Sequence, residues 1–121
     1  MSNRNQEIGQ TGEKAAARFL QQQGYTLLEQ NYRAPFAEID IIAQEKNCIC
    51  FIEVKTRTSL KRGLPRESVH HVKQQKIISG ASFYLKENKI FNRQVRFDVI
   101  DILISGETPE ITLIRNAFGT V

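Results

Sequence analysis

The sequence lacks any apolar run near the length of about 18 residues that a membrane-spanning helix needs. Its opening segment, residues 1–6, has no apolar core of the kind found in a signal peptide. Cysteine is scarce: Cys48 and Cys50 are the only two, and at that spacing on a strand they share a face rather than forming a disulfide. We therefore expect a cytoplasmic protein without membrane contact, in which both thiols belong to the core.

The chain also lacks internal repeats and low-complexity tracts, and its 121 residues suffice for one compact core but are few for two. We expect a single domain, residues 1–121. The composition is 40% hydrophobic and 25% charged, as in globular proteins. The formal net charge of +4 favours a polyanionic partner such as nucleic acid. A solvated basic surface would explain the same charge.

Apolar periodicity divides the chain into helices and strands. The predicted helices are Thr11 to Gln23 and Arg66 to Lys86, and the predicted strands are Tyr25 to Tyr32, Phe36 to Ala43, Ile49 to Lys55, Val95 to Ile104 and Glu110 to Ile114. The last two strands are expected to pair. The resulting order, αβββαββ, predicts an α/β fold in which helices flank a mixed sheet.

Acidic residues collect on one face of the hairpin formed by the second and third strands. If the chain reverses between Lys46 and Asn47, the facing residues are Ile42 with Phe51, Asp40 with Glu53, and Glu38 with Lys55. Like charges directly opposite destabilise a sheet, so Asp40 and Glu53 among apolar neighbours need a proton, a basic group or a cation. A divalent metal would meet that need. The alternative is a hairpin with solvated ends, where the acids only form ion pairs with Lys55.

Side chains of both predicted helices can reach this hairpin. Glu13 shares the inward, apolar face of the first helix, although a carboxylate placed in the first turn by the helix dipole is an equal alternative. On the second helix, Val72 is predicted to lie in the apolar stripe, and Lys73 and Gln74 on another face. From that face they can contact a phosphate.

Four segments of the sequence together resemble the pattern of a known family. They are Gly9-x-x-Gly12-Glu13, the run Ala37-Glu38-Ile39-Asp40-Ile41-Ile42-Ala43, Phe51-Ile52-Glu53-Val54-Lys55-x-Arg57, and Arg96-Phe97-Asp98. An acid followed by Glu-x-Lys on the next strand is the motif of the PD-(D/E)XK nuclease superfamily. The order and spacing of all four resemble the YraN-like family of small bacterial proteins, which are endonuclease-like and related in fold to archaeal Holliday-junction resolvases. Ala37 departs from this pattern, because the family usually has Gly there, which would matter for a positive φ or a close backbone approach.

This resemblance implies a restriction endonuclease-like fold and metal-dependent hydrolysis of phosphodiester bonds in DNA, including branched DNA. It implies that Asp40 and Glu53 bind Mg²⁺ or Mn²⁺, with the Val54 carbonyl and Glu13 completing the site. Lys55 would orient or deprotonate the attacking water.

The remaining functional residues are expected around this centre. Arg57, Lys73 and Gln74 would contact phosphate, and Glu38 would hold Lys55 in position without binding the metal. A homodimer would suit paired cuts across a junction. Two alternatives to a nuclease remain: a nucleic-acid-binding module that keeps the fold without the chemistry, and a structural protein whose acidic cluster is an ion-paired surface.

Overall fold

The computed structural model of the chain describes residues 4–58 and 70–119. Its elements in chain order are helix α1 (Arg4–Gln22), strands β1 (Thr26–Ala34), β2 (Ala37–Glu45) and β3 (Cys48–Arg57), helix α2 (His71–Glu87), and strands β4 (Gln94–Leu103) and β5 (Glu110–Phe118). Within these ranges the strands form one mixed sheet in the order β1-β2-β3-β4-β5, antiparallel except where β3 runs parallel to β4. The predicted order and the mixed sheet flanked by helices are confirmed, and they agree with a restriction endonuclease-like fold.

A hydrophobic cluster lies on each face of the sheet, under a different helix. On one face, Ala16 and Leu20 of α1 pack against Cys50 and Ile52 of β3, and on the other, Ile77, Ala81 and Tyr84 of α2 pack against Ile49 and Phe51 of the same strand. Strand β3 is therefore buried on both sides, as its continuous apolar sequence predicts. A charged residue at the end of such a strand lies close to dry protein interior.

The connection from β3 to β4 positions the site. Parallel neighbours cannot be joined by a tight turn, so the chain crosses one face of the sheet, and α2 forms the returning part of that crossover. The first turn of α2 lies at the carboxyl end of β3, because Lys73 contacts Glu53. In open sheets this end of the strands is where ligands usually bind.

Two predicted helix boundaries differ from the structure. Helix α1 begins at Arg4 rather than Thr11, since its first residues are mostly polar and give no apolar periodicity. The predicted start of the second helix, Arg66, lies outside the described residues, and the helix begins at His71 after an extended His70. Val72 is 66% exposed, so its place in the apolar stripe was wrong. The buried face begins one turn later, at Ile77.

Both cysteines are free, and Cys50 is fully buried, as expected for core thiols. Among residues 4–58 and 70–119, neither helix has the length and apolar character required to cross a membrane.

Candidate active site

The backbone pairing of β2 with β3 ends before Asp40, and there the Asp40 side chain forms the next hydrogen bond between the two strands. The ladder runs from Glu45↔Cys48 to Ile41↔Ile52, and both strands are described in full. Beyond it, Asp40 Oδ2 accepts a hydrogen bond of 2.8 Å from the Val54 amide, which has lost a backbone partner on β2. The carboxyl group thereby satisfies an otherwise unpaired donor and is fixed beside β3.

The predicted hairpin register is therefore confirmed as far as the backbone ladder extends, and the ladder ends before Asp40. Ile42 pairs with Phe51 as predicted, but Asp40 with Glu53 and Glu38 with Lys55 are not backbone partners. Ile39 belongs to the same core cluster as Ile42, although strict alternation would put them on opposite faces. The alternation of β2 thus changes phase around Asp40, which no repeating pattern could reveal.

Asp40 and Glu53 nevertheless lie side by side. Glu53 is 3% exposed, and its carboxyl group is hydrogen-bonded to that of Asp40. Burial first, and then the charge of Glu53, raise the pKa of Asp40 to about 7, against the opposing effect of the Val54 hydrogen bond. Without a cation, burial beside Glu53 therefore favours the protonated form of Asp40.

Two lysines approach this acid pair, and both point at Glu53. Lys73 of α2 forms an ion pair with Glu53 Oε1, and Lys55 Nζ lies 3.8 Å from the same oxygen. Burial and the neighbouring charge of Lys73 lower the pKa of Lys55. Burial is the largest single effect on Lys73 and opposes its charge, but the hydrogen bond and the charge of Glu53, with smaller contributions from Lys55 and Asp40, together raise the pKa of Lys73. Lys55 is thus the more easily deprotonated of the two.

The contact of α1 with β3 brings Glu13 towards the acid pair. Gly12 is buried so tightly against Thr56 that a side chain at residue 12 would overlap the threonine hydroxyl. This close approach gives the second glycine of the Gly9-x-x-Gly12 motif a structural reason. Burial and the charges of Glu38 and Glu53 raise the pKa of the half-buried Glu13. The inward orientation predicted for Glu13 agrees with this placement.

The donors present suit a hard divalent cation, since carboxylate oxygens are preferred by Mg²⁺ and Mn²⁺. Asp40 and Glu53 form the adjacent pair, and Glu13 is close enough to act on it electrostatically. Within the described part of the chain, however, no three His, Cys, Asp or Glu side chains stand close enough to hold a metal unaided. The residues fit a site of two carboxylates, in which further ligands come from the backbone, water or substrate.

A cleft of about 240 Å³ gives solvent access to the pair. Its lining consists of Ala37, Glu38, Asp40, Glu53, Lys73, Lys76 and Ile77. Lys76 was not predicted, although it lies one helical turn after Lys73 and thus on a neighbouring part of the same face. The carboxyl of Glu38 lies 4.0 Å from Arg33, with both side chains largely exposed. That contact differs from the positioning role towards Lys55 predicted for Glu38.

Lys73 and Gln74 lie differently from their prediction. Both are half-buried, and Lys73 faces the sheet one turn before Ile77, so its assignment to a face away from the apolar stripe was wrong. The reason is that the side of α2 that faces the sheet is polar in its first turn, next to the acid pair, and becomes apolar only from Ile77 onward. A phosphate contact by Gln74 stays a prediction, as does a ligand role for the Val54 carbonyl.

Arg57 is held by an acid that sequence patterns did not single out. Its Nε lies 3.1 Å from Asp101 Oδ2, Asp101 is 2% exposed, and the guanidinium side chain is 11% exposed. Asp101 stands beside Lys55 in the parallel β3–β4 ladder, on the same face as Glu53. The sequence did contain a signal for Asp101, since an aspartate within a strand of apolar residues is unusual. The phosphate contact predicted for Arg57 stays a prediction.

In the motif Arg96-Phe97-Asp98, Arg96 and Asp98 lie on the opposite face of the sheet, with Tyr25, whereas Phe97 packs against Phe51 on the α2 face. Fully buried Asp98 accepts two hydrogen bonds from Arg96, at 2.8 and 2.9 Å, and others from Tyr25 and from the Asn116 amide. Arg96 also contacts Glu45 at 2.9 Å, and Arg115 contacts the other oxygen of Glu45 at 3.0 Å. We call these residues the Arg96 network: Tyr25, Glu45, Arg96, Asp98, Arg115 and Asn116. Its paired acids indicate a structural role for this motif.

Comparison with known proteins yields one family. A family model described as an uncharacterised protein family, UPF0102, matches residues 12–102. A UPF0102 protein of Desulforapulum autotrophicum is 48% identical over 120 residues, covering 99% of both chains. Relatives of the same description in Desulfosudis oleivorans and Clostridium kluyveri are 45% and 44% identical, over 98% of this chain and 94% and 98% of theirs.

Proposed function

The chain belongs to the UPF0102 family, the YraN-like group, and we propose that it is a metal-dependent endonuclease that hydrolyses phosphodiester bonds in DNA. One observation carries the proposal. Two carboxyl groups, those of the buried Glu53 and the partly buried Asp40, are held together at an open cleft beside Lys55 and Lys73. Burying like charges together is costly, and a divalent cation is the simplest partner that removes this cost.

In this proposal Asp40 and Glu53 hold the metal, with the Val54 carbonyl and Glu13 as further oxygen donors. When bound, Mg²⁺ or Mn²⁺ would neutralise charge on the phosphate and lower the pKa of a water molecule. The lowered pKa of Lys55 suits it to orient that water and to accept its proton as the water oxygen attacks phosphorus. The bond from phosphorus to the leaving oxygen then breaks, and that oxygen takes a proton from solvent.

The lysines of α2 suit the other side of the reaction. Lys73 and Lys76 line the cleft opposite the acids and would contact the phosphate oxygens, where negative charge develops. Lys73 forms an ion pair with Glu53. On binding, the metal would pair with Glu53 and the substrate phosphate would pair with Lys73, so two ion pairs would replace one. Branched DNA is the favoured substrate shape only by the likeness of the fold to junction resolvases.

A binding module with the same fold is the second candidate, and one observation favours it. Lys73 forms an ion pair with Glu53, and no three-acid site occurs among the described residues. Against it, a surface that only binds phosphates gains nothing from the partly buried Asp40, whose charge repels them. If the protein is a nuclease, loss of Asp40 should remove cleavage. If it is a binding module, loss of Asp40 should leave DNA binding unchanged.

The test compares cleavage of labelled four-way junction, single-stranded and linear duplex DNA in Mg²⁺ and in Mn²⁺. Wild type should cut at least one of them, whereas Asp40→Asn and Glu53→Gln should lose at least 100-fold in rate, as expected when a metal ligand is lost. Glu38→Ala should keep most of the rate, because Glu38 contacts Arg33. If all variants bind DNA equally in a salt-sensitive manner and none cuts it, the protein is a binding module.

A further inference from the structure

We propose that Phe36, at the tip of the turn between β1 and β2, is a stacking platform for an unpaired base of the substrate. This inference rests on the proposed function and specifies its substrate class: DNA with unpaired bases next to the cleaved phosphate. The ring is 58% exposed, and the next residue, Ala37, lines the cleft that contains Asp40. Isolated exposed apolar side chains are common, so the argument depends on where this one lies.

The turn that carries Phe36 is fixed against α2. Gly80 comes so close to it that an added Cβ would lie 3.3 Å from the Ala37 side chain and 3.7 Å from that of Ala34. Ala37 has no positive φ, so the departure from the usual glycine costs no backbone strain, and Gly80 supplies the space for its methyl group. The backbone of the turn is thus held close to α2, which reduces the entropy lost when its exposed ring stacks on a base.

Cations are also found close to the turn that carries Phe36. The Arg33 side chain is 83% exposed on the strand before the turn, and Lys73 and Lys76 line the same cleft as Ala37. An exposed aromatic ring combined with a basic groove that follows the backbone is the arrangement with which proteins hold single-stranded nucleic acid. Duplex bases are already stacked on their neighbours and offer no free face, so the platform discriminates in favour of single strands, flaps and junction centres.

The chain offers a matched control in Phe91, a second exposed aromatic residue, 66% exposed, between α2 and β4. Gln94, at the start of β4, pairs with Cys48, whereas Val99 pairs with Glu53. About 16 Å of strand therefore separates the Phe91 end of β4 from the level of the acid pair. Phe91 shares chemistry and exposure with Phe36 but not its position at the cleft.

The chain contains no tryptophan, so Phe36→Trp and Phe91→Trp each place a single fluorescent reporter at one exposed position. Both are titrated with single-stranded, duplex and four-way-junction DNA in EDTA, and binding is followed independently by anisotropy of the labelled DNA. Stacking on a base quenches tryptophan. We expect quenching at residue 36 by single strands and junctions but not by duplex, and no quenching at residue 91.

A second arm measures affinity. Phe36→Ala should weaken binding of single-stranded and branched DNA about ten-fold and duplex binding less than about two-fold, with Phe91→Ala close to wild type. If DNA binds and is cleaved but residue 36 is not quenched, or if quenching is equal at both positions, the platform is refuted and the nuclease stands. If wild type binds none of the three DNA shapes, the proposed function fails, and the platform fails with it.

Discussion

The two faces of the sheet treat their buried acids in opposite ways. Under α1, Asp98 and Glu45 are surrounded by arginines, and the hydrogen bond from Arg115 is the main cause that lowers the pKa of Glu45 to about 2. Under α2, both lysines contact Glu53, while Asp40 contacts the Val54 amide and the Glu53 carboxyl, and burial raises its pKa to about 7. Each side has two basic side chains, but the arginines under α1 pair with both acids, whereas both lysines under α2 contact Glu53.

In our proposal, this difference separates acids that stabilise the fold from an acid that binds a ligand. Arginine satisfies a carboxylate with fixed, paired donors, and in the Arg96 network it does so for both acids. The same fold leaves Asp40 without such a partner at a cleft that is open to solvent. A strongly shifted pKa at an accessible site indicates a functional role rather than a contribution to stability.

The comparison is tested most strongly by replacing one acid of each kind with its neutral amide. Asp98→Asn leaves Arg96 without its charge partner and should lower the free energy of unfolding by about 3–5 kcal/mol. Asp40→Asn keeps an oxygen for the Val54 amide and removes a carboxylate whose charge is unfavourable beside Glu53, so at this pH stability should be unchanged or higher. Urea unfolding in EDTA at pH 7.5 measures both. Equal losses would mean that the two acid clusters are alike.

Lys73→Ala should have a smaller effect, and one that metal reverses. Glu53 is buried and loses its ion-pair partner, so the free energy of unfolding in EDTA should fall by about 1.5–3 kcal/mol. Mn²⁺ should then stabilise this variant more than wild type, because the cation takes the place of the ammonium group. Lys76→Ala, one turn along α2, serves as the control and should stay within about 0.5 kcal/mol of wild type. A loss that Mn²⁺ cannot recover would exclude a cation site at Glu53.

The two acids should also give opposite pH dependences of stability in metal-free buffer. The pKa of Glu45 is lower in the folded state, so its contribution is present above pH 4.5 and is lost as pH falls towards about 2. The pKa of Asp40 is raised from 3.8 to about 7, so the folded state binds its proton more tightly, and stability falls as pH rises between those values. Glu45→Gln should flatten the acid limb, and Asp40→Asn the limb between pH 4 and 7. A wild-type profile that is flat over that second range would contradict the assignment.

The smallest effect is expected at the exposed edge of the Arg96 network. The Arg115 side chain is 46% exposed, and its guanidinium stacks 5.7 Å from the Tyr25 ring centre. Arg115→Ala should cost about 0.5–1 kcal/mol, because solvent screens its ion pair and Arg96 still holds Glu45. Thermal unfolding beside Asp98→Asn measures the difference. A cost as large as that of Asp98→Asn would show that the network depends on its exposed member.

Much of the fold was predictable, since hydrophobic alternation fixes strand register wherever one face is buried. The pairing of Ile42 with Phe51 follows from that rule, as does the burial of β3 on both faces. The polar first turns of α1 could not be found in this way. They carry no apolar stripe, so packing rather than periodicity decides where that helix starts.

The site was predictable in its residues and less so in its geometry. Proximity of Asp40 and Glu53 follows from the hairpin, but a side chain that replaces a backbone partner, as Asp40 does for Val54, leaves no trace in a period-two pattern. The contact of Lys73 with Glu53 depends on how α2 is rotated over the sheet, which is a tertiary property. The pairing of Arg57 with Asp101 joins residues distant in sequence and was missed for the same reason.

The account depends most on the claim that Asp40 and Glu53 form a cation site while the acids of the Arg96 network do not. Calorimetric titration of Mn²⁺ into wild type, Asp40→Asn and Glu45→Gln at pH 7.5 tests it directly. Wild type and Glu45→Gln should bind Mn²⁺ with equal affinity, and Asp40→Asn at least ten-fold more weakly, as expected when a ligand is lost. Binding that is unchanged in Asp40→Asn, or absent from wild type, would contradict the claim.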